Sequence, residues 1–409
     1  MLFIMYKIYQ LKNGIRLVYE QVPHLKTVSV GIFVKSGSMH ETKEENGISH
    51  FIEHMLFKGT EKRSAKRIAE EMDFVGGHIN AYTSREHTCY YTKVLSEDIS
   101  LSMDILSDMY YNSLFNEEDI ELERNVIIEE INMYEDSPED VALDLIYECV
   151  WKENPLGYLI SGTAESVESI TRDMLLDYKR RRYTPENTVV SVAGGFREEE
   201  LIFLFEKYFS GGINFPCREI AIPIFHSGSY TKTKDIEQAH ISIAYPGYDV
   251  ADDRIFSSSI MNNILGGSMS SRLFQKVREE KGLCYSIYSY LAFFPGAGML
   301  GIYTGLSDSA VDEAMEMIDK EIKKISSEKV SDYELSKAKS QLKCGLVMGE
   351  ENPANRMAGN GKTLLLFDKV RTNEELISFA EKVTDEIILE RANEIFGSGE
   401  KTVFILKNQ

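Results

Sequence analysis

The run His50-Phe51-Ile52-Glu53-His54 places two imidazoles four residues apart, with a carboxylate beside the second. On an α-helix, positions i and i+4 lie one above the other, so both rings project from one face. Two nitrogen ligands of a tetrahedral zinc need that arrangement. Glu53 shares their side and is placed to take a proton from water rather than to bind the metal. Gly47-Ile48-Ser49 before the run and Met55-Leu56-Phe57 after it make the helix largely apolar. Two surface histidines would sit on a solvated helix, whereas a buried helix carries His, Glu and His only with partners for them.

A zinc site needs a third protein ligand, and catalysis needs a fourth position open to water. The best donor is a helix predicted over residues 119–133, where Glu123 and Glu130 stand two turns apart on one face. Glu129 points about 100° away from Glu130. One carboxylate of the pair can ligate while the other hydrogen-bonds behind it. For Glu117, Glu118 and Glu121, a solvated acidic face is sufficient explanation.

The elements that must position these groups follow from length and pattern. At 409 residues the chain exceeds one comfortable core and predicts two domains of about 200 residues each. The first is expected over 1–212, a linker over 213–225 and the second over 226–409; Gly211-Gly212 and Pro216 mark the break. Residues 26–34, 88–95 and 188–193 read as strands, and 64–74, 96–111, 174–181 and 197–209 as helices. A strand at 239–245 then restarts the same order. Tyr91-Thr92 is echoed by Tyr303-Thr304, and Glu135-Asp136-Ser137-Pro138 by Glu350-Glu351-Asn352-Pro353. Such long-period similarity indicates a duplicated domain.

The duplication is asymmetric. Aligning Pro138 with Pro353 sets Glu130 opposite Gly345 and Glu123 opposite Ala338, and residues 261–269, opposite the first motif, hold no histidine. The second half is expected to keep the fold without the metal; His226 and His240 read as structural.

Composition narrows the class. Hydrophobic and charged fractions of 43% and 27% are those of a soluble globular protein. The opening Met1-Leu2-Phe3-Ile4-Met5 is too short for a signal-peptide core, and Met5 is an alternative start. No run approaches the ~18 apolar residues of a membrane span, so no stable membrane insertion is expected. Five cysteines without Cys-x-x-Cys spacing predict thiols in a reducing, cytoplasmic setting. A net charge of −20 argues against nucleic acid; it suits either attraction of basic peptides or solubility alone.

The order His-x-x-Glu-His is the inverted-zincin signature. With its flanks, His50 to Thr60, it resembles the M16 metallopeptidases, as do Gly76-Gly77-His78-Ile79-Asn80-Ala81-Tyr82-Thr83, Glu123-Arg124-Asn125-Val126-Ile127 and Glu129 to Pro138. The resemblance spans essentially the whole chain and is closest to the short bacterial processing proteases. It implies an α+β fold: two homologous domains, each a mostly antiparallel sheet with helices packed on one face, together half of a clamshell. In that family the third ligand follows the second histidine by about 76 residues, which is Glu130 here. The implied site is one zinc per chain on His50, His54 and Glu130, with Glu53 as the general base and Glu123 in support.

The resemblance further implies that Asn80 and Ala81 bind an extended peptide as an added strand. Arg278 and Tyr285, seven apart in the second half, match a pair that reaches the substrate; without the resemblance they would read as a surface Arg and a core Tyr. The implied function is a zinc endopeptidase that cuts short or unfolded peptides in a chamber formed by a homodimer. The rival is a non-catalytic or assembly subunit of a heterodimeric processing peptidase, although such chains generally lose part of the metal set. Site chemistry alone leaves open a non-peptide substrate.

Overall fold

A computed structural model describes residues 6–216 and 220–409; Met1 to Met5 and Cys217 lie outside the described residues. The strands are β1 (Lys7–Gln10), β2 (Arg16–Gln21), β3 (Thr27–Val34), β4 (His78–Thr83), β5 (Thr88–Leu95), β6 (Thr188–Gly194), β7 (Gly228–Thr233), β8 (Ala239–Pro246), β9 (Cys284–Phe294), β10 (Ala297–Leu306) and β11 (Thr402–Lys407). The helices are α1 (Ile48–Leu56), α2 (Ala65–Phe74), α3 (Ile99–Asn112), α4 (Glu117–Glu135), α5 (Pro138–Val150), α6 (Ala164–Ser169), α7 (Arg172–Arg182) and α8 (Glu198–Phe209). They continue with α9 (Arg254–Leu265), α10 (Val311–Ser327), α11 (Asp332–Gly349), α12 (Pro353–Phe367), α13 (Asn373–Glu381) and α14 (Asp385–Phe396).

The chain divides into two compact units that are not consecutive in sequence. Unit 1 holds Met1–Ile131, Tyr158–Ile220 and Met348–Arg371; unit 2 holds Asn132–Gly157, Ala221–Val347 and Thr372–Gln409. A single cut within 213–225 therefore does not coincide with the packing units. Helix α5, from the first half, belongs to unit 2, and α12, from the second half, belongs to unit 1.

Each unit is built on one open sheet of the same design. In unit 1 the order is β1-β2-β6-β3-β5-β4, and in unit 2 it is β7-β11-β8-β10-β9. Leaving out β1, the two orders correspond strand for strand. The one parallel pair, β2 with β6, is matched by β7 with β11, and the other pairs are antiparallel. The echo of Tyr91 in Tyr303 falls on β5 and β10, and Pro138 and Pro353 each open a helix capped by Ser137 or Asn352. Proline suits that first turn because its missing N–H would find no partner there.

The central strands explain why two layers are needed. Every residue of β6 is buried, and so is all of β3 after Thr27. Strands buried on both faces need cover on both faces. In unit 1, Val28, Val30, Ile32 and Val34 enter the main core with residues of α1, α3, α7 and α8. The alternate residues Phe33, Cys89, Val189 and Ala193 pack with Met357, Leu364 and Leu365 of α12. Helix and sheet approach closely there: a Cβ on Gly361 would meet the Phe33 ring at 2.3 Å. Most helices thus lie on one face of the unit 1 sheet, and α12 covers the other.

Candidate metal centre

Helix α1 is short and its stability comes from burial. Ile48, Phe51, Ile52, Met55 and Leu56 are fully buried, spaced at i, i+3, i+4, i+7 and i+8. Each is worth about 1.5–3 kcal/mol as an upper estimate. His50, Glu53 and His54 occupy the remaining face, so the packing that holds the helix also fixes the direction of the motif.

The N-terminus of α1 is held from outside. Glu41 is buried and accepts hydrogen bonds from the backbone N–H groups of Ser49 (2.9 Å) and Gly47 (2.8 Å) and from Asn46 Nδ2 (3.1 Å). These include backbone donors that a helix N-terminus otherwise leaves orphaned. Gly47 itself has φ +92°, and a Cβ there would meet the Ser161 carbonyl oxygen at 2.6 Å. Burial pushes the Glu41 carboxyl up to about 7 despite its donors. A raised folded-state value stabilises below the unfolded value, near 4.5, and that contribution is lost as pH rises through about 7. Relative to Glu41→Gln, the wild type is therefore expected to lose on the order of 3 kcal/mol between pH 5 and 8. Denaturant unfolding of the two proteins across that range checks this; parallel curves would show that Glu41 titrates normally.

Helix α4 supplies the carboxylates. Ile120, Glu123, Ile127 and Ile131 form its buried stripe, and Glu130 lies half-buried at the edge. Arg124 fixes the helix against its surroundings: its guanidinium lies 5.5 Å from the Phe51 ring centroid of α1 and bonds the Ile170 carbonyl at 2.9 Å. As a result Glu130 Oε2 stands 3.7 Å from His50 Nε2 and 3.6 Å from His54 Nε2. Among the described residues these are the only three His, Cys, Asp or Glu groups whose ligand atoms cluster, all within 4.8 Å of one another. Tetrahedral zinc with bonds of about 2.0–2.1 Å has edges of roughly 3.3–3.4 Å. The observed separations are too long for hydrogen bonds and suit a shared cation, so the residues fit zinc. Glu129 is exposed.

Behind the cluster, Glu123 Oε2 accepts from His54 Nδ1 at 2.9 Å, and its other oxygen pairs with Lys58 Nζ. A carboxylate behind a metal-binding histidine fixes its tautomer and ring plane, leaving Nε2 for the ion. Burial works against charge on Glu123, but His54 and Lys58 outweigh it and hold the carboxyl below its usual range. His50 is pulled down to about 4 by burial and by His54, against Glu130, so it is neutral at pH 7. For His54, burial is outweighed by Glu123 and Glu130, and it is held up to about 9. Its proton must leave before Nε2 can ligate.

Glu53 is not one of the three clustered groups. Its Oε2 accepts a hydrogen bond from Thr83 Oγ1 at 2.5 Å. Burial raises its carboxyl above the usual range, with Thr83 and His54 opposing. Thr83 ends β4, the edge strand of the sheet, which also carries Asn80 and Ala81. Asn80 is exposed, and its Oδ1 accepts from the Ala81 N–H at 2.8 Å.

Unit 2 carries Arg278 and Tyr285 together. Arg278 sits in a π-helical segment, Phe274–Glu280, with its guanidinium 5.1 Å from the Tyr285 ring centroid and 4.5 Å from that of Phe274. Tyr285 is 80% exposed, so a core tyrosine does not describe it. Ala338 and Gly345, opposite Glu123 and Glu130, both lie on α11 and carry no ligand group. His240 bonds Tyr303 OH at 2.7 Å, a structural role.

The first half of the chain, residues 16–164, matches the family described as Insulinase (Peptidase family M16), and residues 169–342 match the Peptidase M16 inactive domain. The chain belongs to peptidase family M16. Among M16 relatives, it is 41% identical to an uncharacterized zinc protease, YmxG, of Bacillus subtilis, covering 96% of both chains. It is 34% identical to an uncharacterized zinc protease of Rickettsia bellii, covering 98% of both. The fold is shared with a protease from Helicobacter pylori, with a TM-score of 0.92 at 19% identity over 99% of both chains. A peptidase M16 inactive domain structure from Pseudomonas fluorescens gives 0.90 at 16% identity, over 99% of this chain and 98% of that one. In this M16 chain the metal-type cluster lies in the half matched by the Insulinase family, and no such cluster occurs among the described residues of the half matched by the inactive-domain family.

Sequence reasoning missed three residues here. Lys58 lies two residues past the end of α1, and its reach back to Glu123 depends on the turn that follows the helix. Thr83 was visible in the Gly76–Thr83 segment without a role. Glu41 leaves no local signal, because its contacts depend on the path of a loop.

Proposed function

We propose that the chain is a zinc-dependent endopeptidase acting on short or unfolded peptides. The carrying observation is that three ligand atoms of His50, His54 and Glu130 converge, with Glu53 beside them and Glu123 behind. Zinc, when bound there, acidifies water and polarises a peptide carbonyl. Glu53 accepts the proton as water attacks and delivers it to the leaving amine. Burial raises its carboxyl above the usual carboxylate range, the direction that helps it hold a proton between the two transfers. The outward edge of β4 at Asn80 and Ala81 offers main-chain groups to an extended peptide. Arg278 and Tyr285 act on the substrate, Tyr285 by donating a hydrogen bond to the developing oxyanion and Arg278 by holding the backbone.

The zinc ligands and the Arg–Tyr pair are carried by one sequence, so a homodimer would supply every element. We place the pair of one subunit against the metal of the other, in a two-fold chamber that admits flexible peptides and excludes folded proteins. The chain contains no described helix long and apolar enough to cross a membrane, and Cys89, Cys149 and Cys284 form no disulfide. Both fit a cytoplasmic enzyme. The test mixes Glu53→Gln with Tyr285→Phe after subunit exchange. One composite site regains wild-type residues, so activity on an unstructured peptide rises above either parent. Proven exchange without recovery, or a fully active monomer, would reject the shared site.

A further inference from the structure

Resting on the peptidase reading, we infer that Thr83 is a positioning residue: its hydroxyl clamps Oε2 of Glu53 and leaves Oε1 as the proton acceptor.

A threonine hydroxyl has a single proton to donate. Thr83 and Thr88 face each other where β4 and β5 meet, with their oxygens 3.3 Å apart. Thr88, fully buried, spends its proton on the Ser36 carbonyl at 2.9 Å. Thr83 has Glu53 Oε2 at 2.5 Å, the short distance of a hydroxyl bonded to a carboxylate. Its proton is therefore committed to Glu53, and Thr88 has none left to compete.

The clamp matters because the terminal torsion of a glutamate is soft, with no sharp well to hold the carboxylate plane. Helix α1 fixes only the Glu53 backbone, whereas β4 fixes the carboxylate itself. The hairpin turn stiffens that strand end: Ser84 N donates to the His87 carbonyl at 2.8 Å. The same strand presents Asn80 and Ala81, so the clamp ties the proton acceptor to the proposed peptide-binding edge.

Thr83→Val keeps shape and strand preference and removes the hydroxyl; Thr83→Ser keeps the hydroxyl. Turnover by the zinc-loaded protein on an unstructured peptide should fall about tenfold to a hundredfold in kcat for Thr83→Val. KM, zinc content and melting temperature should stay at wild-type values. Thr83→Ser should restore kcat to within about threefold. An unchanged kcat in Thr83→Val would overturn the inference, as would a loss carried by KM or zinc content, or a serine variant no better than valine. A wild type that binds zinc but cuts no peptide would instead sink the peptidase reading. The clamp is then still read by a crystal structure of Thr83→Val, in which the Glu53 carboxylate should leave its wild-type orientation. A carboxylate that keeps its orientation overturns the clamp independently of activity.

Discussion

Glu53→Gln is expected to keep zinc at wild-type occupancy and to lose about 10²- to 10⁴-fold in kcat on an unstructured peptide. The separation follows from geometry. Glu53 shares α1 with both histidines, yet its carboxylate is engaged by Thr83 and stands outside the cluster formed by His50, His54 and Glu130. Glutamine preserves size and can still accept from Thr83, so α1 should keep its packing. What it cannot do is take a proton. Metal analysis and steady-state kinetics on the same preparation check the point. A variant that emptied of zinc would make Glu53 a ligand.

The second large effect ranks three neighbouring carboxylates. Glu130→Gln should cost zinc affinity on the order of a thousandfold, because a charged ligand is replaced by a weak neutral one. Glu123→Gln should cost roughly 10- to 100-fold and slow turnover, since it loosens His54 and leaves Lys58 without its partner. Glu129→Gln should do almost nothing, as that residue faces solvent. Competition with a chromophoric chelator measures all three. If Glu129 and Glu130 exchanged places in the ranking, α4 would be rotated by one residue, with Glu129 facing the histidines.

How much of this was readable beforehand depends on the range of the interaction. The histidine pair and Glu53 were legible because a helix makes i and i+4 neighbours whatever lies around it. The shared face of Glu123 and Glu130 was legible for the same reason, and the resemblance to M16 proteins selected Glu130. The duplicated sheet was visible in the echo of Tyr91 and Pro138 by Tyr303 and Pro353. The assignment of α5 to unit 2 and α12 to unit 1 was not, because a buried stripe on a helix does not say which sheet it covers. Only Gly31 and Gly361, which let α12 approach β3 closely, carry a trace of that packing, and they are unremarkable until the partner is known. The Thr83–Glu53 and Glu41–Ser49 bonds depend on one segment passing another. The local pattern also gave the wrong setting for Tyr285, which alternates as a core residue would but is held in solvent beneath Arg278.

Zinc on His50, His54 and Glu130 as the source of peptidase activity is tested most directly by titrating zinc into the metal-stripped wild-type protein while following hydrolysis of an unstructured peptide. Hydrolysis should rise in step with occupancy and reach its plateau at one zinc per chain. Full occupancy without hydrolysis, or hydrolysis that persists in the stripped protein, would contradict it.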